Sequence, residues 1–534
     1  MKKFQTLGVM LDMSRNAVMS IEGLKRYLPL LAKMGYNCIF LYTEDTYEVD
    51  GEPYFGYMRG RYTKEEMKEI DSLALSYGIE VIPCIQTLAH LTTITRWGQY
   101  NMDTLDILMA DDDRTYELVN NMFRTLSECF HTRKLHVGMD EAHDLGRGKH
   151  LDKFGYETVD VIMKRHLARI LEIANKYDYE LLIWSDMFFR PWNGGTYSIP
   201  KTTVPKEYVD ALPKNVIPVY WDYYSKDKKN YSDMMENHKQ LSKNTWFAGG
   251  AWTWGGFLPH NKFTLDTMRE GITAAREQGI KHVFMTMWGD NGGECSKLSV
   301  LPSLFYISQY AKGVTDEEVI KAKFERMFGI PFDDFMLLDM PNDFVPGVTR
   351  PNMPKNPSKY MLYNDYFVGH LDYTVAEGGR EYYAECEAKL SAVAKKSRKY
   401  GYLFDTAAKL SGVLKYKYDI GVKTRKAYKE GNKEELLRLA NEEYREIAKA
   451  VSDFSKSFER QWMLDNKPFG FEVHDIRLGG LMRRTETCRR RLVDYASGKL
   501  DSIPELCEEI LPFGEEKKSI YNNLYKNNAT SNVL

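Results

Sequence analysis

The stretch Leu135-His136-Val137-Gly138-Met139-Asp140-Glu141-Ala142-His143 runs from apolar residues into a glycine and then two adjacent carboxylates. It reads as a short strand that delivers acidic groups at its carboxyl end. Side chains alternate along extended backbone, so Asp140 and Glu141 point in different directions. One can face a bound molecule while the other turns along the chain to orient something. Neighbouring carboxylates in unlike surroundings let one site hold an acid and a base at the same pH.

What lies on either side of this stretch decides the fold. Short β-rich runs at 5–11, 37–42, 79–84, 134–138, 180–184, 216–221, 245–251 and 282–288 alternate with helical patterns. Residues 21–34 place Leu24, Leu28, Leu31 and Met34 at three- and four-residue steps, and 64–77, 114–130, 157–177 and 264–278 behave similarly. Eight β-then-α units in one run predict an α/β fold, a (β/α)8 TIM barrel over residues 1–312, with a doubly wound sheet as the structural alternative. Residues 313–534 read as a mostly α-helical C-terminal domain. A Pro- and Asn-rich loop spans 341–358, followed by helices around 377–399, 402–428, 432–461 and 477–498. Leu436, Leu439, Ala440, Ile447, Val451 and Phe454 form one apolar stripe there, and Leu481, Cys488, Leu492 and Tyr495 another. Residues 466–480 interrupt the pattern. They are either an interhelical loop or a segment that reaches an active site, that of this chain or of a second copy.

A barrel of this kind collects its functional groups at the carboxyl ends of the strands. The polar and aromatic residues fall there: Asp12 and Arg15 after the first run, Glu44 and Asp45 after the second, His90 after the third. Asp140 and Glu141 follow the fourth, Trp184 and Asp186 the fifth. Trp221, Asp222 and Tyr223 end the sixth, Trp252 and Trp254 the seventh, and Trp288, Asp290, Asn291 and Glu294 the eighth. Five of the nine Trp residues occupy these positions, a convergence that packing alone does not explain.

Composition narrows the function classes. A net charge of −2, with both signs mixed along the chain, supplies no field for nucleic acid or an anionic membrane. The 36 Tyr and 9 Trp suit either sugar-stacking platforms or packed cores. The seven Cys are dispersed, odd in number and without CxxC spacing, as expected of reduced thiols in a cytoplasmic protein. Met1-Lys2-Lys3-Phe4-Gln5-Thr6-Leu7-Gly8 leads into a strand without the apolar run of a signal peptide, and no transmembrane stretch is evident. His136, Asp140, Glu141 and His143 lack H-E-x-x-H spacing, so no metal is expected, and no phosphate loop or nucleophile elbow occurs. No cofactor is implied.

The motif resembles the His-x-Gly-Gly-Asp-Glu signature of glycoside hydrolase family 20, the β-N-acetylhexosaminidases, with Met139 at the second Gly. Gly8-Val9-Met10-Leu11-Asp12-Met13-Ser14-Arg15 is similar to the family's Arg-Gly-Leu-Met-Leu-Asp-x-x-Arg opening, with Leu7 at the sugar-holding Arg. That role passes to Arg15, Arg59 or Arg61. Residues 44–48 and 53–63 resemble a compact bacterial-type subgroup with the barrel first and a helical domain after it; compact relatives of this kind look like dimers. Ile82-Pro83-Cys84-Ile85-Gln86-Thr87-Leu88-Ala89-His90 is similar to Ile-Pro-Glu-Ile-Asp-x-Pro-Gly-His, with Gln86 at the Asp that supports the acid.

The resemblance implies a pocket walled by Trp184, Trp221 and Trp288, with Asp290, helped by Glu294, at the family's hydroxyl-binding Glu. His90 and Trp252 are further substrate-binding candidates, and Tyr223 or Tyr224 supplies a missing hydroxyl. It also implies an exo-acting enzyme that releases terminal β-linked GlcNAc or GalNAc from oligosaccharides. Glu141 is then the acid/base and Asp140 the group that holds the substrate's acetamide. A retaining glycosidase with a carboxylate nucleophile needs it ~5–5.5 Å from the acid. Adjacent residues do not naturally provide that geometry, whereas an acetamido carbonyl of the substrate can serve. The competing readings are a two-carboxylate retaining glycosidase on sugars without an acetamide, and a non-catalytic carbohydrate-binding barrel. The apolar stripes, together with Phe469, Phe471, Asp475 and Arg477 in 466–480, predict a homodimer with that segment at its interface.

Overall fold

A computed structural model describes residues 4–346, 353–512 and 520–534. Part of the loop expected at 341–358 lies outside these described residues. The chain divides into two compact units. The first comprises Met1–Ala251, Thr264–Met287 and Ser303–Asp316; the second comprises Trp252–Phe263, Trp288–Pro302 and Glu317–Leu534.

The first unit is built on eight parallel strands: β1 (Thr6–Asp12), β2 (Cys38–Tyr42), β3 (Glu80–Cys84), β4 (Lys134–His136), β5 (Glu180–Trp184), β6 (Val216–Trp221), β7 (Trp246–Gly250) and β8 (His282–Met287). They close in sequence order, β8 pairing back onto β1 with Gly8 opposite Phe284. A Cβ on Gly8 would lie 3.1 Å from Phe284 Cβ and 3.2 Å from Cys38 O, so this tightly packed crossing leaves little room for a side chain. Aromatic rings fill the lumen. Phe40 stacks on Phe284 at 4.2 Å, His136 meets Trp184 at 4.4 Å, and Trp246 closes on Phe40 at 6.1 Å. Truncating a buried ring of this kind costs ~3–5 kcal/mol.

The helices between strands follow the predicted periodicity. α1 (Ile21–Met34) is capped by Ser20, which accepts from Gly23 N, and ends on Gly35 at φ +96°. α2 (Lys64–Ser76) opens with a reciprocal Thr63–Glu66 capping box. α3 (Asp113–Cys129) and α4 (Val159–Asn175) bury their apolar stripes, and α5 (Lys228–Leu241), which the sequence reading did not assign, precedes β7.

The second unit is mostly helical, with α6 (Gly379–Lys396), α7 (Gly401–Lys417), α8 (Ile420–Lys429), α9 (Lys433–Asn441), α10 (Glu443–Asp465) and α11 (Phe471–Ala496). Three expectations need correction. The helix expected at 402–428 is two, divided at Tyr418-Asp419, and the one at 432–461 is divided at Glu442. The expected interruption at 466–480 is confined to its first residues: Gly470, at φ +87°, turns the chain into α11. The glycine pair 479–480 lies inside α11, although each Gly costs ~1 kcal/mol in a helix. Burial of Phe471, His474, Leu478, Leu481, Thr485 and Cys488 at helical spacing carries the helix through it. Phe257, from the segment after β7, packs at 5.1 Å on both Phe454 and Phe458 of α10. No helix among the described residues is long and apolar enough to cross a membrane.

Candidate active site

β4 ends at His136, and the backbone after it is contorted. Gly138, Met139 and Glu141 all have positive φ, at +73°, +67° and +51°. Each non-Gly residue held this way costs ~1–3 kcal/mol, a cost the surroundings must offset. Gln86 supplies part of that. Its Oε1 accepts from Met139 N at 3.1 Å, and a Cβ on Gly138 would collide with the same oxygen at 2.0 Å. Gln86 Nε2 donates to Asp140 Oδ1 at 2.8 Å and to Tyr42 Oη at 3.0 Å. Tyr42 donates to Glu44 Oε1 at 2.9 Å, and Arg15 pairs with that oxygen at 2.8 Å. A continuous polar chain thus runs Arg15–Glu44–Tyr42–Gln86–Asp140. Gln86 occupies the position expected to hold an Asp, and it keeps the connection with a neutral amide. Arg59 instead pairs with Asp45, and Arg61 donates to the Pro53 and Phe55 carbonyls, so Arg15 is the candidate joined to this chain.

His90, itself at φ +58°, places Nε2 at 3.3 Å from Asp140 Oδ2 and 3.8 Å from Glu141 Oε2. Burial works to lower its pKa, but the charge and hydrogen bond of Asp140, aided by Glu44, raise it to about 9. Burial likewise opposes ionisation of Asp140, and His90 and Gln86 outweigh it, holding the carboxyl below its ordinary range. At neutral pH the pair is an imidazolium and a carboxylate. The Glu141 side chain is 43% exposed, against 11% for Asp140. The two adjacent carboxylates therefore have the unlike environments the sequence suggested: one buried and ionised, the other open. His136 is buried and neutral, its pKa pushed down to about 3 by desolvation, and its Nδ1 accepts from Gly138 N at 3.1 Å.

Two residues on the far side of Glu141 complete its surroundings. Asp186, fully buried after β5, accepts from Glu141 N at 3.1 Å and from Arg190 Nε at 3.0 Å. Burial, then the charge of Asp140, raises its pKa to about 7. Arg190 Nη2 lies 3.7 Å from Glu141 Oε1. The sequence reading missed Arg190. It sits in a three-residue 3-10 segment, Arg190–Trp192, too short for a periodic signal, and only its four-residue spacing from Asp186 hinted at a pair.

The aromatic candidates of this unit differ in placement. Trp184 is buried against His136. Trp221 is half-buried, stacks on Tyr223 at 5.4 Å and 19°, and lies 5.9 Å under the Arg190 guanidinium. Tyr223 is buried and Tyr224 exposed.

The remaining candidates belong to the second unit. Trp252 is fully buried and stacks on Trp254 at 4.0 Å. Trp288 is half-buried, and its carbonyl accepts from Thr253 Oγ1 at 2.7 Å. Asp290 is exposed at φ +37°, and its Oδ2 accepts from Asn523 Nδ2 at 2.8 Å. Glu294 is buried between Lys359 at 2.7 Å and Arg477 at 3.2 Å. Arg477 also donates to Asn291 O at 3.0 Å, and His474 Nε2 lies 3.0 Å from Gly292 O. α11 is thereby tied to the segment that follows β8.

Asp111, His150 and Glu157 gather their ligand atoms within 4.8 Å. Arg165 fills the gap, bonding Asp111 Oδ1 at 2.8 Å and both Glu157 oxygens at 2.9 and 2.8 Å, so the cluster is an ion-pair network. All seven cysteines are free, and only Cys507 is exposed.

Residues 4–238 match the model for the glycosyl hydrolase family 20 catalytic domain, and residues 333–524 that for the Glycoside Hydrolase 20C C-terminal domain. Human Hexosaminidase D is 24% identical over 233 residues, 41% of this chain and 45% of its own. The bovine Hexosaminidase D is 25% identical over 255 residues, 43% of this chain and 65% of its own. The match thus spans less than two thirds of either relative. Among solved structures, a GH20 exo-β-N-acetylglucosaminidase from Vibrio harveyi aligns with a TM-score of 0.48 at 14% identity, over 63% of this chain and 58% of that one.

Proposed function

The chain belongs to glycoside hydrolase family 20, and from that premise we propose that it is an exo-acting β-N-acetylhexosaminidase. It removes terminal β-linked GlcNAc or GalNAc with retention of configuration, using the substrate's own acetamido oxygen as nucleophile. The observation that carries this reading is the contrast between a buried, ionised Asp140 and an open Glu141 beside it. Glu141 protonates the glycosidic oxygen and then activates water. Asp140 holds the acetamide N–H and stabilises the positive charge of the oxazolinium-like intermediate. His90 keeps Asp140 ionised. Arg15 and Asp290 hold ring hydroxyls, Trp184, Trp221 and Trp288 wall the sugar, and Tyr223 or Tyr224 meets the acetamido oxygen. A homodimer and a cytoplasmic setting belong to the same proposal.

Turnover of an aryl β-N-acetylglucosaminide, together with affinity for the corresponding thiazoline, tests the reading. A substrate-assisted enzyme turns over the first and binds the second tightly. Turnover without thiazoline affinity points instead to a carboxylate nucleophile, and inertness with sugar binding to a non-catalytic barrel.

A further inference from the structure

We propose that Asp186 and Arg190, on the segment following β5, form the positioning device of the acid/base Glu141; this rests on the assignment of Glu141 above. Glu141 is the most exposed carboxylate at the end of β4, and two features leave it hard to place. Its backbone is in the left-handed region, at φ +51°. Its carboxyl group extends into open space, with 43% of the side chain exposed. An acid in that condition must be held from outside, because a glutamate loses rotamer freedom only when its carboxyl group is gripped.

The grip comes from both sides. His90 approaches Oε2 at 3.8 Å, and Arg190 Nη2 approaches Oε1 at 3.7 Å. Arg190 is itself fixed by four neighbours. Its Nε donates to Asp186 Oδ2 at 3.0 Å, its Nη1 donates to Gly195 O at 3.0 Å, and its guanidinium lies 5.8 Å over Tyr197 and 5.9 Å over Trp221. Asp186 Oδ2 also takes the Glu141 N–H at 3.1 Å. One buried carboxylate therefore secures the strained backbone of the acid and aims the cation at its side chain. Its second oxygen, Oδ1, is buried without a hydrogen-bond partner. A carboxylate kept in so poor a site for its own charge is consistent with a task beyond packing. The planar guanidinium can reach Asp186 and Glu141 together, which a lysine's single ammonium cannot do in the same geometry.

The arrangement separates positioning from binding and from folding. If Arg190 places the acid, its loss slows proton delivery to the leaving group and leaves substrate affinity nearly intact. kcat falls while KM holds, and the loss depends on how much the leaving group needs a proton. Arg190→Ala is expected to lower kcat by ~10- to 100-fold on an N-acetylglucosaminide with a poorly activated leaving group. On a dinitrophenyl-class leaving group it should cost no more than ~3-fold. Guanidinium ion at millimolar concentration should restore part of the loss in Arg190→Ala, and Arg190→Lys should retain an intermediate rate. The unfolding midpoint is recorded for each variant, and if Arg190→Ala does not fold, the same two-substrate comparison on Arg190→Lys decides. Equal losses on both substrates, or none, overturn the proposal while leaving the glycosidase reading in place. A wild-type enzyme inert toward both substrates overturns that reading and this inference with it.

Discussion

The carboxylates after β4 and those after β8 are held by opposite means. Glu294 is buried and gripped by two full cations, Lys359 and Arg477. Burial lowers the pKa of Lys359, and the neighbouring Glu294 opposes that shift. Asp140 instead leans on a neutral amide and on one imidazole able to change its charge, and Glu141 beside it stays open to solvent. A buried carboxylate with a cation on each oxygen ties the segment after β8 to α11. After β4 the two conditions are divided: Asp140 is buried against neutral and titratable partners, and Glu141 keeps an accessible face with His90 and Arg190 at 3.8 and 3.7 Å. The sequence placed Glu294 and Glu141 in the same class, acidic residues after barrel strands. Their partners separate them.

The largest expected effect tests the structural side. Glu294→Gln removes the anion between Lys359 and Arg477 and leaves a buried ammonium uncompensated. Breaking a buried pair in this way costs ~3–5 kcal/mol. Denaturant unfolding should show that loss, and a change below ~1 kcal/mol would show that Glu294 does not tie this segment to α11.

Glu141→Gln is the chemical counterpart. It preserves shape and removes the transferable proton, so kcat should fall at least ~10²-fold on a substrate that needs protonation, with much less loss for an activated leaving group. Stability should change by no more than ~0.5 kcal/mol, since the side chain is 43% exposed and makes no contact shorter than 3.7 Å to a charged partner. Near-wild-type turnover of chitobiose by this variant would remove Glu141 from the mechanism.

His90 sharpens the comparison through pH. Its pKa in the folded protein, about 9, lies above the ordinary histidine value. A raised pKa means that the folded state favours the protonated ring. That contribution is complete below the ordinary value, ~6.5, and is lost as pH rises through about 9. The groups facing the ring are Asp140, Glu141, Glu44 and Arg15. Both activity and stability should therefore decline on the alkaline side across this window. His90→Asn, which cannot titrate, should lose the stability component of that limb. An alkaline stability profile identical in wild type and variant would show that the imidazolium is not what holds Asp140.

How much of this was readable from the chain depends on distance along it. The eight strands were legible because each is a short apolar run bounded by turns, and the residues at their ends stood out by type. Gln86 could be seen as a departure from a motif, but its bonds to Asp140 and Tyr42 could not. Gln86 and Asp140 are 54 residues apart, and nothing in either neighbourhood marks the pairing. Arg190 escaped notice because a single 3-10 turn has no periodicity. α11 begins at Phe471, six residues before the expected start at 477, because Phe471 and His474, which extend it, are recognised as helix positions only by their packing on Phe458 and Trp462 of α10. The tie between Glu294 and Arg477 joins residues 183 apart, beyond any local signal.

The smallest expected effect concerns the one exposed carboxylate after β8. Asp290 Oδ2 accepts from Asn523 Nδ2 at 2.8 Å, and Asn523 Oδ1 in turn accepts from Lys359 Nζ at 3.4 Å. Asn523 thus links Asp290 to the ammonium that grips Glu294, so the locked carboxylate and the open one share a scaffold. Asn523→Ala removes a hydrogen bond to a charged acceptor at a partly exposed site, worth ~1–1.5 kcal/mol in such a setting. If Asp290 holds ring hydroxyls, the variant should raise KM by ~5- to 10-fold with kcat close to wild type. The ratio of activities on gluco- and galacto-configured substrates should change as well, because a carboxylate with one hydrogen bond fewer distinguishes hydroxyl directions less sharply. The loss of stability should not exceed that ~1–1.5 kcal/mol, short of the Glu294→Gln loss. A kcat defect with unchanged KM would place this segment on the chemical side of the comparison. An unchanged KM and an unchanged substrate ratio would leave Asp290 with no part in reading the sugar.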